Sequence, residues 1–230
     1  MPEQPLHIAI IPDGNRRWAK ARGLLAWNGH EKAIQNFRDI SDFCRRDPRI
    51  GTLTVWCFST ENWKRDPAEV SKLMGLLETF IRRERSHIDK YKTRLLHSGR
   101  RDRLPPTLIT LMDEVCATSK DYTDFTLHLA IDYGGKDEII RAINKQQATS
   151  NGTSAVWDEN TIRANLDHPE LPDIDLIVRS SGEIRTSNFF LWQSTYAEWK
   201  FFDKYFPDFT VEDLKAAVDD FAKRTRRFGS

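Results

Sequence analysis

Short apolar runs alternate with amphipathic segments of helical period along almost the whole chain. The apolar runs have the length and the β-branched and aromatic content of buried strands, and they cover residues 6–11, 52–58, 94–98, 125–131, 175–178 and 198–202. Between them, apolar positions recur every three to four residues, which predicts helices at residues 16–21, 29–44, 67–92, 105–120, 135–147, 158–165 and 211–224. Strands that alternate with helices indicate an α/β fold.

The same pattern predicts one domain over residues 1–230, built on a central, mostly parallel six-stranded sheet flanked by helices. A chain of 230 residues is long enough to bury a sizeable core. No internal repeat or change of composition marks a boundary between domains. The polar stretch 148–155 is predicted to be a mobile surface loop.

Charge and cysteine content narrow the functional classes. The 35 Lys and Arg residues balance 34 Asp and Glu residues, and a net charge of +1 gives no global field that would attract nucleic acid or an anionic membrane. Cys44, Cys57 and Cys116 have neither metal-ligand nor redox spacing and are predicted to be reduced core residues. No apolar run is long enough to span a bilayer and no signal peptide precedes His7, so a cytoplasmic location is expected.

The segment after the predicted strand 175–178 concentrates residues that bind anions. Arg179 follows the strand directly, a Ser-Ser-Gly turn comes next, and Glu183, Arg185 and Ser187 lie close behind. Arginine side chains bind phosphate oxygens in pairs, and the hydroxyl and backbone N–H groups of the turn add donors. This predicts a pocket for a multiply charged anion, and diphosphate fits it best. Taken alone, the segment is equally consistent with a structural salt-bridge cluster.

A second segment, near the N-terminus, has the same layout and favours the anion pocket. The strand 6–11 is followed at once by Pro12, Asp13, Gly14, Asn15, Arg16, Arg17 and Trp18. Parallel sheets place ligands at the carboxyl ends of strands, where loops lead into helices that attract phosphate. Asp13 lies where a carboxylate could hold Mg²⁺ against that phosphate. A helix cap at Asn15 and a turn at Asp13-Gly14 are also consistent, but they leave the arginine pair unexplained.

Two further loops after predicted strands add polar residues to the same edge of the sheet. In the loop 58–66, Asn62 and Arg65 are candidates for ligand contact or proton handling, and Trp63 for a wall of the pocket. Asp66 is expected to cap the helix that follows. The loop 130–136 contains paired glycines, which allow tight backbone geometry.

The predicted helix 67–92 has one apolar face, because its large apolar residues are three and four positions apart. They are Leu73, Leu76, Leu77, Phe80 and Ile81. Such a face is ordinarily core. Beside the anion sites and the helix 29–44, it is also consistent with the wall of an apolar tunnel.

Taken together, these motifs resemble the cis-prenyltransferases, the undecaprenyl diphosphate synthase family, in order and spacing from His7 to the end of the chain. The matching residues are Asp13-Gly14-Asn15-Arg16-Arg17-Trp18-Ala19, Gly29-His30, Phe58-Ser59-Thr60-Glu61-Asn62-Trp63, Asp132-Tyr133-Gly134-Gly135, Arg179-Ser180-Ser181-Gly182-Glu183, Arg185, Ser187-Asn188-Phe189-Phe190-Leu191-Trp192-Gln193 and Tyr196-Ala197-Glu198. Each motif alone is weak, but the set is specific.

The resemblance implies the cis-prenyltransferase fold with an apolar tunnel, and a Mg²⁺-dependent transferase. Its substrates would be isopentenyl diphosphate and an allylic diphosphate such as farnesyl diphosphate, and its product a cis-polyprenyl diphosphate. It also implies a homodimer. No nucleic acid partner is implied, and contact with a membrane would be transient and through the product alone.

The resemblance further assigns roles to single residues. Asp13 and Asn62 would be catalytic, and Asp13 would bind the metal together with Glu198 of the other subunit. The residues expected to contact substrate are Gly14, Asn15, Arg16, Arg17, Trp18, His30, Ser59, Glu61, Trp63, Arg65, Arg179, Arg185 and Ser187.

Within this set, Asp13 and Arg17 would bind the allylic diphosphate, whereas Arg179, Arg185 and Ser187 would bind that of isopentenyl diphosphate. His30 and Asn62 would assist with phosphate contact and proton removal. The stretch Arg227-Phe228-Gly229 matches a family motif that reaches the neighbouring active site; as an alternative, it is a frayed basic terminus.

Two positions depart from the family pattern, and they leave alternatives open. Ala26 stands where many members have an arginine that contacts the allylic phosphate, with Arg22 or Lys20 as possible replacements, and Pro12 stiffens the first loop. Ala26 leaves open an enzyme of the same fold that makes short or irregular, branched isoprenoid diphosphates. A non-catalytic partner subunit of a prenyltransferase is a further alternative, disfavoured because Asp13, Asn15 and Arg17 are all present. A generic nucleotide-binding α/β protein is disfavoured, because neither G-x-G-x-x-G nor a P-loop lysine is present.

Two residues along the predicted tunnel favour different product lengths. The small Cys57 on the strand favours a long chain, whereas Phe80 on the long helix is a candidate floor of the tunnel. A product of medium to long chain length is expected.

Overall fold

Six parallel strands form the centre of the computed structural model, which describes residues 4–149 and 157–224. The strands are β1 (Leu6–Ile11), β2 (Ile50–Ser59), β3 (Thr93–Ser98), β4 (Phe125–Tyr133), β5 (Leu176–Arg179) and β6 (Glu198–Phe201). Their order across the sheet is β3-β4-β2-β1-β5-β6, and every neighbouring pair is parallel. The predicted α/β fold with a six-stranded sheet is confirmed.

The helices also lie close to where the periodicity predicts them. They are α1 (Asn15–Lys20), α2 (Ala26–Arg46), α3 (Pro67–Lys90), α4 (Pro106–Ser119), α5 (Gly135–Thr149), α6 (Glu159–Asn165) and α7 (Val211–Phe221). Two short 3₁₀ turns, Thr60–Lys64 and Phe206–Asp208, lie outside the predicted elements. As predicted, Asp66 caps α3, since its carboxylate accepts hydrogen bonds from the N–H groups of Ala68 and Glu69 at 2.9 and 3.2 Å.

Asn15 is not the cap of α1, contrary to one of the alternatives for that residue. Gly14 occupies the cap position with a φ of 94°, and Asn15 is the first helical residue. A Cβ atom on Gly14 would lie 2.5 Å from the ring of Tyr205, so glycine is required there for space as well as conformation. The amide of Asn15 is thereby directed back towards its own loop, where it donates to the carbonyl of Pro12 at 3.1 Å.

The order of the strands determines where the loops meet. The chain passes from β1 to β2 on one side, whereas β5 pairs with β1 on the other side, so the direction of winding changes at β1. In open parallel sheets, ligands bind outside the carboxyl ends of the strands at such a switch point. Ile11 at the end of β1 is directly beside Arg179 at the end of β5, and the loops that follow them are therefore neighbours.

Helices α2 and α3 cover the sheet beside this switch point. A Cβ atom on Gly29 would lie 2.0 Å from the backbone oxygen of Asn15, so α2 can approach the start of α1 only with glycine at this position. The apolar face predicted for α3 is confirmed: Leu73, Leu77, Phe80 and Ile81 are buried, and Leu76 is partly buried against the same core. Burial of these side chains stabilises the fold, at about 1.5–3 kcal/mol for each fully buried one.

Some expectations fall on undescribed parts of the chain. Positions 150–155 of the predicted mobile loop and the stretch Arg227-Phe228-Gly229 lie outside the described residues. Within the described ranges, none of the helices combines the length and the apolar composition needed to cross a membrane.

Candidate active site

A cleft of about 660 Å³ opens at the carboxyl ends of β1, β2 and β5. Most of the residues predicted to form the site line it. They are Asp13, Gly14, Asn15, Arg16, Arg17, His30, Ser59, Glu61, Asn62, Arg65, Arg179 and Ser187. Segments far apart in sequence therefore converge on one concave surface, as the sequence motifs predict.

At the centre of the cleft, Asp13 forms an ion pair with Arg179. Arg179 Nη2 donates to Asp13 Oδ2 at 2.8 Å, and its Nη1 donates to Ser187 Oγ at 2.8 Å and to the carbonyl of Arg185. Burial alone would raise the pKa of the Asp13 carboxyl, but the hydrogen bond and charge of Arg179 outweigh it, and the N–H of Gly14 and the charge of Arg17 add to their effect. The net pKa is lowered, so Asp13 is ionised at neutral pH.

Ser180 fixes the position of the Asp13 backbone. Its Oγ accepts a hydrogen bond from the Asp13 N–H at 2.9 Å and donates to the Asp13 carbonyl at 2.8 Å. The loop after β5 thus holds the loop after β1 through one buried hydroxyl.

Arg17 extends the cationic surface from α1 towards the loop after β5. Its Nη2 donates to Ser181 Oγ at 2.7 Å and lies 3.4 Å from Asp13 Oδ1, while its Nη1 donates to Glu183 Oε1 at 2.7 Å. Glu183 also accepts a hydrogen bond from Arg185. The hydrogen bond and charge of Arg185, followed by those of Arg17, lower the pKa of the Glu183 carboxyl.

Strained backbone accompanies this loop. Ser181, Ser187 and Asn188 have φ values of 81°, 52° and 70°, in the left-handed region that non-glycine residues rarely adopt. Such conformations cost about 1–3 kcal/mol each and are concentrated at functional sites. Here they direct the hydroxyls of Ser181 and Ser187 at Arg17 and Arg179.

The opposite wall of the cleft carries two more arginines around a buried carboxylate. Glu69, in the first turn of α3, is only 6% exposed. Its Oε1 lies 3.4 Å from Arg16 Nε and 3.4 Å from Arg65 Nη1, and 3.9 Å from His30 Nε2. Burial lowers the pKa of Arg65, as does the nearby Arg16, and Glu69 opposes both. Glu69 was not among the predicted site residues. Its charge among the otherwise apolar buried residues at the start of α3 could have indicated a role in the site.

His30 is neutral at pH 7. Burial, followed by the charges of Arg65 and Arg16, lowers its pKa to about 4. Asn15 Nδ2 lies 3.4 Å from His30 Nδ1 and also donates to the Pro12 carbonyl. Within the described chain His30 Nε2 has no hydrogen-bond partner.

Asn62 lies in the 3₁₀ turn that follows β2, and its side chain is held by the backbone of the same loop. Its Oδ1 accepts a hydrogen bond from the Ser59 N–H at 3.2 Å, as part of a capping box with the Ser59 side chain. Asn188, which also lines the cleft, donates to Glu61 Oε1 at 3.2 Å and accepts from the Lys136 N–H at 2.8 Å. Asn188 belongs to a matching motif but was not predicted as a site residue.

An apolar cavity of about 70 Å³ begins in the same cleft. Pro12, Asn15, His30 and Cys57 line both spaces. The remaining cavity lining comes from Ala33, Ile34, Phe37, Val55, Leu73, Leu76, Leu77, Phe80 and Phe206. The rings of Phe37 and Phe80 are tilted against each other with centroids 5.3 Å apart.

Two tryptophans that were predicted to contact substrate do not line the cleft. The indole N–H of Trp18 donates to Asp208 Oδ1 at 2.8 Å, because one helical residue turns it about 100° away from Arg17. Trp63 lies edge-on to Phe58, with ring centroids 5.1 Å apart, and lines a separate groove beside α3. Neither side chain is part of the cleft lining.

Arg185 and Glu198 also lie outside the lining. The Arg185 side chain donates to Glu183, and its backbone carbonyl accepts from Arg179. Glu198 begins β6 and pairs with Leu176 at the start of β5, so it lies at the opposite end of the sheet from Asp13 and is bound to Arg224 at 2.7 Å. Within one chain, Glu198 and Asp13 are therefore too far apart to share a metal ion.

Ala26, which stands where many members of the family have an arginine, is the first residue of helix α2. Arg22, one of the two predicted replacements, donates to Asp208 Oδ2 at 3.2 Å and lies over the Trp18 ring. It is thus engaged on the side of α1 that faces away from the cleft.

Among the residues described, no group of three or more His, Cys, Asp or Glu side chains is arranged to hold a metal ion by itself. Two carboxylates with lowered pKa values line the cleft, Asp13 and Glu61, and Glu61 accepts a hydrogen bond from Asn188 at 3.2 Å. This donor set fits Mg²⁺, which is commonly bound by one or two carboxylates together with substrate phosphate oxygens and water.

Comparisons with known proteins agree on one family. Residues 11–229 match the family model described as putative undecaprenyl diphosphate synthase. The isoprenyl transferase of Treponema pallidum is 42% identical over 225 residues, covering 97% of this chain and 98% of the relative. The isoprenyl transferase of Aquifex aeolicus is 43% identical over 225 residues, covering 98% and 96%.

Two solved structures are similar over the whole chain. Lavandulyl diphosphate synthase from Lavandula x intermedia, solved with dimethylallyl diphosphate, has a TM-score of 0.92 at 34% identity and covers 98% of both chains. A probable undecaprenyl diphosphate synthase from Campylobacter jejuni has a TM-score of 0.82 at 30% identity and covers 99% of this chain and 100% of its own.

Proposed function

This chain belongs to the undecaprenyl diphosphate synthase family and is a prenyltransferase, and on that premise we propose its substrates and the roles of its residues. The reaction is the condensation of isopentenyl diphosphate with an allylic diphosphate, such as farnesyl diphosphate, in the presence of Mg²⁺. The product is a cis-polyprenyl diphosphate, made in the cytoplasm.

One observation carries this proposal. Arg17 and Arg179 approach the ionised Asp13 from two different loops, and an apolar cavity begins in the same cleft. A site with cations on both sides of a carboxylate suits two diphosphates, and the cavity suits a hydrocarbon chain attached to one of them.

Arg17 and Asp13 bind the allylic diphosphate in this proposal. The allylic C–O bond breaks as its diphosphate leaves, so negative charge grows on the leaving group and fixed positive charge lowers the barrier. Arg17 supplies that charge and is oriented by Ser181. His30 assists in phosphate contact, since its Nε2 has no hydrogen-bond partner among the described residues. The apolar cavity keeps water from the allylic cation.

Arg179, Arg185 and Ser187 hold isopentenyl diphosphate with its double bond towards that cation, which is a task of orientation. Ser187 is already bonded to Arg179. Loss of a proton then completes the new double bond. Asn62, fixed by the Ser59 N–H, assists in this step.

Mg²⁺, when bound, neutralises charge on the diphosphate leaving group. Asp13 is the ligand that this chain contributes within the cleft, and Arg179 has to release it for that purpose. A contribution from Glu198 requires a second copy of the chain. In support of a homodimer, β6 is the edge strand of the sheet, and Trp199 and Phe201 on it are only half buried. Sedimentation analysis of the purified protein tests this association.

Two observations favour a second product class. The lavandulyl diphosphate synthase has the high TM-score of 0.92, and this chain has Ala26 where an allylic-phosphate arginine is expected. A branched or short product is therefore the alternative to a linear cis-polyprenyl diphosphate.

Product analysis tests the function and separates these classes. Purified protein is incubated with Mg²⁺, ¹⁴C-isopentenyl diphosphate and dimethylallyl, geranyl or farnesyl diphosphate in turn, and dephosphorylated products are separated and identified by mass spectrometry and NMR. Linear cis-polyprenols are expected. Branched alcohols would establish the alternative, and no incorporation with any primer would refute the proposed substrates.

A further inference from the structure

The Glu183 carboxylate lies between Arg17 and Arg185, in the position that an anionic ligand of both arginines would occupy. Its Oε1 accepts a hydrogen bond from Arg17 Nη1 at 2.7 Å, and its Oε2 accepts one from Arg185 Nη1. We propose that Glu183 is an internal competitor for diphosphate, which occupies these two arginines in the empty site and leaves them when a diphosphate binds. The inference rests on the proposed function.

Three of the five N–H donors of Arg17 face protein acceptors when Glu183 is in place. Nη2 is directed at Ser181 Oγ, at 2.7 Å, and at Asp13, at 3.4 Å. Nη1 is directed at Glu183. Carboxylate and phosphate are both bound by the paired N–H groups of a guanidinium, so the same donors cannot serve both at once. A diphosphate oxygen that takes the Nη1–H now directed at Glu183 has to displace that carboxylate.

Glu183 is able to move, because both of its partners are exposed to solvent. The Arg17 and Arg185 side chains are 44% and 59% exposed, and that of Glu183 itself is 25% exposed. Ion pairs with a solvent-exposed partner are individually weak. The pair between Asp13 and Arg179 differs, since the Arg179 side chain is only 4% exposed. A multiply charged ligand can therefore replace Glu183 at modest cost.

The position of Glu183 also links the two substrate sites. It joins Arg17 of α1, assigned to the allylic diphosphate, to Arg185 of the loop after β5, assigned to isopentenyl diphosphate. The diphosphate that binds first displaces the carboxylate, and the second then meets an arginine that is already free.

The competitor has a use in turnover. In each condensation the allylic C–O bond breaks, a C–C bond to isopentenyl diphosphate forms, one proton is lost and one pyrophosphate is released. An arginine cradle with high affinity for pyrophosphate would retain this product. When Glu183 returns to Arg17 and Arg185, it favours release.

Calorimetric titration with inorganic pyrophosphate tests the inference without substrate or metal. The full-length wild-type protein, Glu183→Gln and Asp203→Asn are compared at one ionic strength in the presence of EDTA. Asp203 is the matched control: its carboxylate lies beside Gly182, where its Oδ1 is 3.1 Å from the position of an added Cβ, and it is not part of the cleft lining. It therefore reports the long-range effect of removing one negative charge from the same loop region.

We expect Glu183→Gln to bind pyrophosphate about three- to tenfold more tightly than the wild type, as the loss of two weak ion pairs predicts. Asp203→Asn is expected to change the affinity less than twofold. In turnover assays, Glu183→Gln is expected to be inhibited by lower concentrations of pyrophosphate.

Affinity of Glu183→Gln equal to that of Asp203→Asn would overturn the inference in favour of long-range charge. Weaker binding would overturn it too, and would indicate that Glu183 positions the arginines. In both cases the diphosphate site itself stands, because the wild type binds pyrophosphate. A wild type and a Glu183→Gln variant that are both folded, by circular dichroism, and both fail to bind pyrophosphate in EDTA and also in Mg²⁺ would refute the diphosphate site and the inference together.

Discussion

Replacement of Asp13 by asparagine keeps the shape of the side chain and removes its charge. The variant tests whether the ion pair at the centre of the cleft serves stability, catalysis or both. Arg179 is 3% exposed and loses the counter-charge at 2.8 Å, although it keeps its hydrogen bonds to Ser187 and to the Arg185 carbonyl. A hydrogen bond between charged groups contributes about 1.5–3 kcal/mol.

The lower part of that range applies to Asp13→Asn, because the Asp13 side chain is 28% exposed. We expect the free energy of unfolding to fall by about 1.5–2 kcal/mol, which corresponds to a loss of about 3–8 °C in Tm for a chain of this size. Turnover is expected to fall by about 10²–10³-fold or more, because the cleft loses the carboxylate proposed to hold Mg²⁺ against the leaving group.

Urea titration and incorporation of ¹⁴C-isopentenyl diphosphate measure the two effects separately. Asp208→Asn is the matched control, since Asp208 also pairs with an arginine, Arg22 at 3.2 Å, but is 46% exposed and lies outside the cleft lining. The control is expected to lose less than about 1 kcal/mol and to keep wild-type turnover. An Asp13→Asn protein with turnover within twofold of the wild type would refute the catalytic role of Asp13.

Three further predictions concern isopentenyl diphosphate binding, product length and the pH dependence of stability. Arg179→Gln is expected to raise the KM for isopentenyl diphosphate about 10–100-fold, and Arg185→Gln less than tenfold. The reason is burial, since the Arg179 side chain is 4% exposed and that of Arg185 is 59% exposed. Equal effects of the two substitutions in steady-state kinetics would contradict this order. Phe80→Ala is expected to lengthen the products, because it removes a ring that lines the cavity against Phe37. It is also expected to lower the free energy of unfolding by about 3–5 kcal/mol. Products of unchanged chain length on thin-layer plates would exclude Phe80 as the floor of the cavity. Burial lowers the pKa of His7 from 6.5 to about 4, so its contribution to stability is complete above pH 6.5 and is lost as the pH falls towards 4, by about 3 kcal/mol. Urea titrations at several pH values measure this loss, and a His7→Gln protein with the same pH dependence as the wild type would contradict it.

The fold was predictable from the sequence because its determinants are local. Strands buried on both faces are continuous apolar runs, as in β1 and β5, and their lengths separate them from helices. The period of Leu73, Leu77 and Phe80 identified the apolar face of α3. Local signals also fixed the cap at Asp66. They did not show that β1 lies between β2 and β5, since strand order depends on long-range pairing.

The candidate site was predictable where loops follow strands directly. Asp13, Arg17 and Arg179 are brought together because parallel strands end at one edge of the sheet. Their partners depend on side-chain direction, which sequence spacing does not give. Thus Trp18 binds Asp208 on the far side of α1, and Glu69 joins the site from a helix whose buried face was read as apolar.

The proposed mechanism requires two diphosphates, one on either side of Asp13. A crystal structure of the protein with Mg²⁺, isopentenyl diphosphate and a non-hydrolysable thio-analogue of farnesyl diphosphate would show whether they bind there. We predict one diphosphate against Arg17 with its prenyl chain in the cavity beside Phe80, and the second against Arg179 and Ser187. Diphosphate density at any other surface, with Asp13 still paired to Arg179, would contradict the account.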